Sequence, residues 1–115
     1  MTVKIYHNPR CGKSRQTLQL LQEQSIEPEI VEYLKTPPSA KELDDILLKL
    51  SMEPRDLMRK KEAEYKANGL DNQTLDRQTL INGMVKHPIL IERPIVLAND
   101  KAAIGRPPEA VLSIL

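Results

Sequence analysis

The hydrophobic period of this chain switches repeatedly between that of a strand and that of a helix, and those switches limit its folds more than any other feature. Val3 and Ile5 alternate with Thr2 and Lys4, the period of a short strand. A polar loop, His7-Asn8-Pro9-Arg10-Cys11-Gly12, follows. Good helix formers then run over about 13–24 and carry Leu18, Leu20 and Leu21. Residues 29–34 return to a strand-like pattern with Ile30, Val31 and Tyr33. Strand, loop, helix and strand in this order predict a parallel pair joined by a right-handed crossover.

Pro37-Pro38 closes that opening unit. Ser39 with Glu42 forms a capping box, and Leu43, Ile46, Leu47 and Leu50 recur at helical spacing, so a helix is predicted over 39–50. Pro54 starts a short helix through Leu57 and Met58, and 62–68 reads as another, stopped by Gly69. A further helix is expected over 74–86, with Leu80, Ile81, Met84 and Val85 on one side and Pro88 after its end. Beyond it, Ile95, Val96 and Leu97 read as a buried strand, Asn99-Asp100 as a turn, and 102–104 as the returning strand of a hairpin. Pro107 and Pro108 suit the first turn of a last helix, with Val111, Leu112 and Leu115 facing inward. The order β-α-β, helical block, β-β-α is that of an α/β thioredoxin-like fold. It predicts one domain over 1–115, a mixed four-stranded sheet and a helical insertion at about 39–86.

Composition narrows the function. A net charge of +1 supplies no bulk field toward nucleic acid or an acidic membrane, and with no Trp or Phe and only three Tyr, platforms for stacking bases are scarce. The most apolar stretch, Ile89 to Ala98, is broken by Glu92, Arg93 and Pro94, and the N-terminus lacks the apolar run of a secretory signal. A cytoplasmic location is therefore expected. His7 and His87 are the only histidines and Cys11 the only cysteine, so zinc spacing is absent and no metal is expected.

Cys11 lies between a strand end and a helix start. Free N–H groups and the helix dipole place positive potential there, which binds anions and lowers a thiol's pKa. Gly12 would let the backbone approach a ligand, Ser14 could donate its hydroxyl to the sulfur, and Arg10, Lys13 and Arg15 add positive charge. A small buried core cysteine is the alternative, but these polar or tiny neighbours suit it poorly. His7 reads equally as a loop histidine or a catalytic one. Cysteine followed at a five-residue gap by arginine is excluded because Thr17 stands there, and a dithiol site is excluded because Ser14 occupies the second cysteine's place. A monothiol Cys-x-x-Ser site remains, and any second thiol must come from another molecule.

With Tyr6-His7-Asn8-Pro9, Cys11-Gly12 and Ser14-Arg15, the chain resembles the glutaredoxin-coupled arsenate reductase family of ArsC type. The resemblance continues through Leu57-Met58-Arg59-Lys60, His87-Pro88-Ile89-Leu90-Ile91, Arg93-Pro94-Ile95-Val96, and Gly105-Arg106-Pro107 with Glu109. It implies an enzyme that reduces arsenate to arsenite, with Cys11 as nucleophile. Arg59, Arg93, Arg106 and Gly12 would hold the oxyanion, and His7 and Ser14 would tune the thiolate. Pro94 would be the cis-proline beside the cysteine. On sequence alone each arginine reads as a surface or salt-bridge residue, and Pro94 as a trans proline entering an edge strand. The resemblance also implies glutathione as co-substrate, glutaredoxin as electron donor and partner, no tightly bound cofactor, and a role in arsenical resistance. The family's best-known members continue into a C-terminal tail beyond the position of Leu115, and its lack is expected to spare the core and to bear on partner docking. Two other readings stay open: a monothiol glutaredoxin-like oxidoreductase acting on glutathione mixed disulfides, and a non-enzymatic ArsC-like binding protein.

Overall fold

The computed structural model describes residues 2–115. It separates into two compact units. One comprises the chain up to Thr36 together with Arg93–Leu115, and the other is Pro37–Glu92, so the inserted helical unit is wider at both ends than the expected 39–86.

The first unit is built on a four-stranded sheet. Strand β1 (Val3–His7) leads through the Cys11 loop into helix α1 (Gly12–Glu23), which returns the chain to β2 (Glu29–Glu32), parallel to β1. Strands β3 (Ile95–Ala98) and β4 (Lys101–Ile104) form a hairpin, with β3 antiparallel to β1, so the sheet order is β2-β1-β3-β4. Asn99 and Asp100 both adopt positive φ, the backbone a tight hairpin turn requires of its central pair. This is the mixed four-stranded α/β sheet expected from the element order.

Side chains alternate across a strand, so Val3, Ile5 and His7 share one face of β1. Val3 and Ile5 pack there with Val96, Ala98, Leu21 of α1, Val111 and Ile114. The buried positions of α1 are Ser14, Thr17 and Leu21, polar at the helix start and apolar farther along. That gradient puts the Ser14 hydroxyl beside His7 and the Leu21 side chain in the core with Ile5.

The chain's last element departs from expectation. Residues Pro108–Ile114 form a 3₁₀ helix, whose period is 3.0. Pro108, Val111 and Ile114 therefore line up inward, while Leu112, expected to face in, is 40% exposed. Leu115 is only partly buried and Ile114 takes its expected place.

The second unit contains α2 (Ala40–Leu50), α3 (Pro54–Leu57), α4 (Ala63–Ala67), α5 (Arg77–Lys86) and a 3₁₀ turn at Pro88–Leu90. The Ser39–Glu42 capping box forms, with both reciprocal bonds at the N-terminus of α2. Gly69 follows α4 at φ 68, where a β-carbon would be strained. Helix α5 begins later than the predicted residue 74. Asn72 captures Thr74 in a local turn, and the Asp76 side chain accepts from Thr79 N–H as the true cap. Met58 leaves α3 to pair with Ile91. Among the described residues no helix is long and apolar enough to cross a membrane.

Candidate active site at Cys11

The loop before α1 is tied at several points. Cys11 N–H donates to the Asn8 carbonyl at 3.0 Å, and Arg10 N–H donates to Asn8 Oδ1 at 3.0 Å. Arg15 Nη1 donates to the Pro9 carbonyl at 2.9 Å. These bonds leave Cys11 at the N-cap of α1 with extended backbone angles.

Cys11 is buried, 8% exposed, with a polar group beside its sulfur. Arg106 Nη2 lies 3.8 Å from Sγ. Burial pushes the thiol up, but the Ser14 backbone N–H, the charge and hydrogen bond of Arg93, and the Lys13 backbone N–H outweigh it, so the net displacement is downward. Helix-start amides and guanidinium groups thus favour the thiolate at one place.

The positions of Arg93 and Arg106 follow from the hairpin. Gly105 N–H donates to the Pro94 carbonyl at 2.9 Å, extending the β3–β4 pairing, and Arg106 Nε donates to the Arg93 carbonyl at 2.8 Å. The Arg93–Pro94 and Arg106–Pro107 peptide bonds are both cis. One guanidinium therefore braces the other residue's backbone and faces the sulfur.

His7 and Ser14 meet, but not as expected. His7 Nδ1 and Ser14 Oγ are 2.6 Å apart in a buried contact, and Asn8 N–H donates to the same Oγ at 3.0 Å. Ser14 thus acts on the sulfur through its backbone N–H, while its hydroxyl serves His7 and the loop. Burial holds His7 below the usual imidazole pKa, partly countered by the Glu32 carboxylate and assisted by the Arg15 charge. Gly12 opens α1 with room beside it. A β-carbon there would meet only Arg15 Nη2, at 3.9 Å, so no protein atom crowds it. The constrained glycine is Gly105, whose β-carbon would run into Thr17 Oγ1 and Pro94 Cγ. Sequence reasoning gave Gly105 no such role, and its only signal was its place before Arg106-Pro107. Arg59 belongs to the helical unit, where Nη1 pairs with Glu62 at 2.8 Å and its backbone N–H donates to the Leu90 carbonyl. Among the described residues no cluster of His, Cys, Asp or Glu is suited to a metal ion.

A lone, acidified thiol at a helix start, faced by arginines on a β-hairpin, defines a thioredoxin-like protein of single-cysteine type. The ArsC family model matches residues 6–114, and the chain belongs to the ArsC family. The uncharacterized protein YfgD of Escherichia coli K12 is 57% identical over 98% of this chain and 96% of its own length. An arsenate reductase of Neisseria meningitidis is 53% identical over 98% of this chain and 97% of its own length. The solved structure of an arsenate reductase from Vibrio cholerae superposes with a TM-score of 0.96 at 50% identity, covering 100% of this chain and 98% of that one.

Proposed function

We propose that this protein is an oxidoreductase that reduces arsenate to arsenite through a covalent adduct on Cys11, with glutathione and glutaredoxin as the source of electrons. The observation that carries the reading is the sulfur itself. Its thiolate form is favoured by α1 amides and Arg93, and Arg106 approaches it at 3.8 Å. The names borne by relatives at about half identity supply the substrate.

Arsenate resembles phosphate in charge and shape, and arginine's planar fork offers it paired donors. Arg93 and Arg106 would hold the anion beside Cys11 and stabilise the charge that builds as sulfur attacks. The family resemblance assigns Arg59 the same task. The Cys11 thiolate forms a bond to arsenic, and an arsenate oxygen leaves as water after taking up protons from solvent. Glutathione thiolate then attacks the Cys11 sulfur. The electron pair of the sulfur–arsenic bond stays on arsenic, which departs as arsenite, and Cys11 is left in a mixed disulfide. Glutaredoxin thiolate attacks the glutathione sulfur and releases the Cys11 thiolate. The chain has one cysteine, so that outside thiol is required.

A coupled assay following NADPH oxidation with glutathione reductase, glutathione, glutaredoxin and arsenate tests the reading. The wild-type chain should show arsenate-dependent oxidation, and Cys11→Ser should abolish it. Full turnover in Cys11→Ser would remove Cys11 from the chemistry. Turnover with a glutathionylated peptide but none with arsenate would favour a monothiol oxidoreductase.

A further inference from the structure

We propose that a cavity at the carboxyl ends of β1 and β2 seats the charged end of the small thiol peptide that attacks the Cys11 adduct. This inference rests on the function proposed above and gives the glutathione step a place in the molecule.

The cavity holds about 220 Å³ and lies wholly within the unit that carries Cys11. Its lining includes His7, Asn8 and Arg10 from the Cys11 loop, with Glu32, Leu34 and Lys35 from the end of β2. Crevices at the carboxyl ends of parallel strands are where open α/β sheets bind ligands, because loops diverge there. Neither Arg93 nor Arg106 is among the lining residues, so a thiol held here would not compete with an oxyanion held by those arginines.

The chemistry of the lining is two-signed. Arg10 and Lys35 are cations, Glu32 is a carboxylate, and Leu34 adds apolar surface. Glutathione carries carboxylates at both ends and an ammonium at one. Lys35 and Glu32 already face one another, but at 3.7 Å and with side chains 79% and 44% exposed. A pair so loose and wet contributes little, so both ends can turn to a ligand.

Size and reach agree. Sites that enclose whole drug-sized ligands start near ~300 Å³, so this one suits one end of a tripeptide. Arg10 is the immediate neighbour of Cys11, and extended chain spans about 3.5 Å per residue. A terminal carboxylate in the cavity therefore leaves the central thiol free to extend toward the Cys11 sulfur. Binding through exposed charges should weaken as salt rises.

The experiment uses S-methylglutathione, which cannot react, titrated into the ¹⁵N-labelled wild-type chain. Saturable amide shifts are expected at His7, Asn8 and Arg10 and at residues 32–35. Lys35→Glu should weaken that binding about tenfold, the scale of a lost charge-assisted contact followed by repulsion. In the coupled assay the same variant should raise the KM for glutathione by a similar factor, with no parallel rise in the KM for arsenate. Shifts confined to Arg93, Ile95, Gly105 and Arg106, no saturable shifts at millimolar ligand, or an unchanged glutathione KM in Lys35→Glu would each overturn the pocket. Absence of arsenate turnover in the wild-type chain would overturn the function instead, and the titration would still decide the pocket.

Discussion

Replacing Gly105 with alanine should destabilise this protein through a contact that ties β4 to the active-site hairpin and to α1. The new β-carbon would overlap Thr17 Oγ1, sit 2.8 Å from Pro94 Cγ and 3.1 Å from Thr17 Cγ2. Neither neighbour yields easily. Thr17 is fully buried with its hydroxyl donating to the Lys13 carbonyl at 2.8 Å, and the Pro94 carbonyl already accepts from Gly105 N–H. Overpacking of this kind costs about 1–3 kcal/mol. Alanine also restricts the unfolded chain, which returns about 0.4–1 kcal/mol. The net loss is about 1–2 kcal/mol. With an unfolding entropy of about 2.1 cal/mol/K per residue over 115 residues, that lowers Tm by about 4–8 °C. Differential scanning calorimetry of wild type, Gly105→Ala, Thr17→Ala and the double variant measures it. Thr17→Ala removes both offending Thr17 atoms, so the double variant should be less destabilised than the sum of the singles by about 1 kcal/mol. A Gly105→Ala protein that melts at the wild-type temperature, or strict additivity with Thr17→Ala, would refute the steric argument.

Two further expectations concern the thiol. Arg93 favours the thiolate, so Arg93→Ala should move the pH profile of Cys11 alkylation by iodoacetamide to higher pH. The rate rises as the thiolate forms, so the wild-type profile should rise at lower pH than that of a free cysteine, and an unmoved profile in the variant would exclude Arg93 as a cause. Ser14→Ala keeps the backbone donor, so the same profile should stay close to wild type. The buried His7 Nδ1 and the Asn8 N–H lose their partner, at a cost of about 1–3 kcal/mol in chemical denaturation. A large pKa change with no loss of stability in Ser14→Ala would restore the hydroxyl as the sulfur's donor.

Local signals were the legible ones. The start of α2 was readable because a capping box and an apolar stripe lie within a few residues of each other. The hairpin was readable because Asn99-Asp100 tolerates the left-handed backbone the turn needs. The last helix was misread at Leu112 because a period of 3.0 and one of 3.6 diverge only after a full turn, and Leu112 and Ile114 are both apolar. At the site, strand-to-helix placement and charge pointed to Cys11 as a thiol at a helix start near arginine, and it stands at the N-cap of α1 with Arg106 Nη2 3.8 Å from its sulfur. The partner of the Ser14 hydroxyl was invisible, because it depends on which face of β1 carries His7 and how α1 lies on that face. Gly105 was passed over for a similar reason: the atoms that crowd it come from α1 and from the start of β3, far away in the chain.

The donors that acidify Cys11 include the main-chain amides of Lys13 and Ser14. No ordinary side-chain exchange at those positions can erase an amide proton; only proline lacks one. Residue 13 can therefore change in chemistry, and an exchange at 14 costs stability rather than acidity, which confines the mutational vulnerability of ionisation to the helix geometry and to a guanidinium outside the loop. Such an arrangement lets the surface around the reactive atom be rewritten for new partners without first dismantling its reactivity.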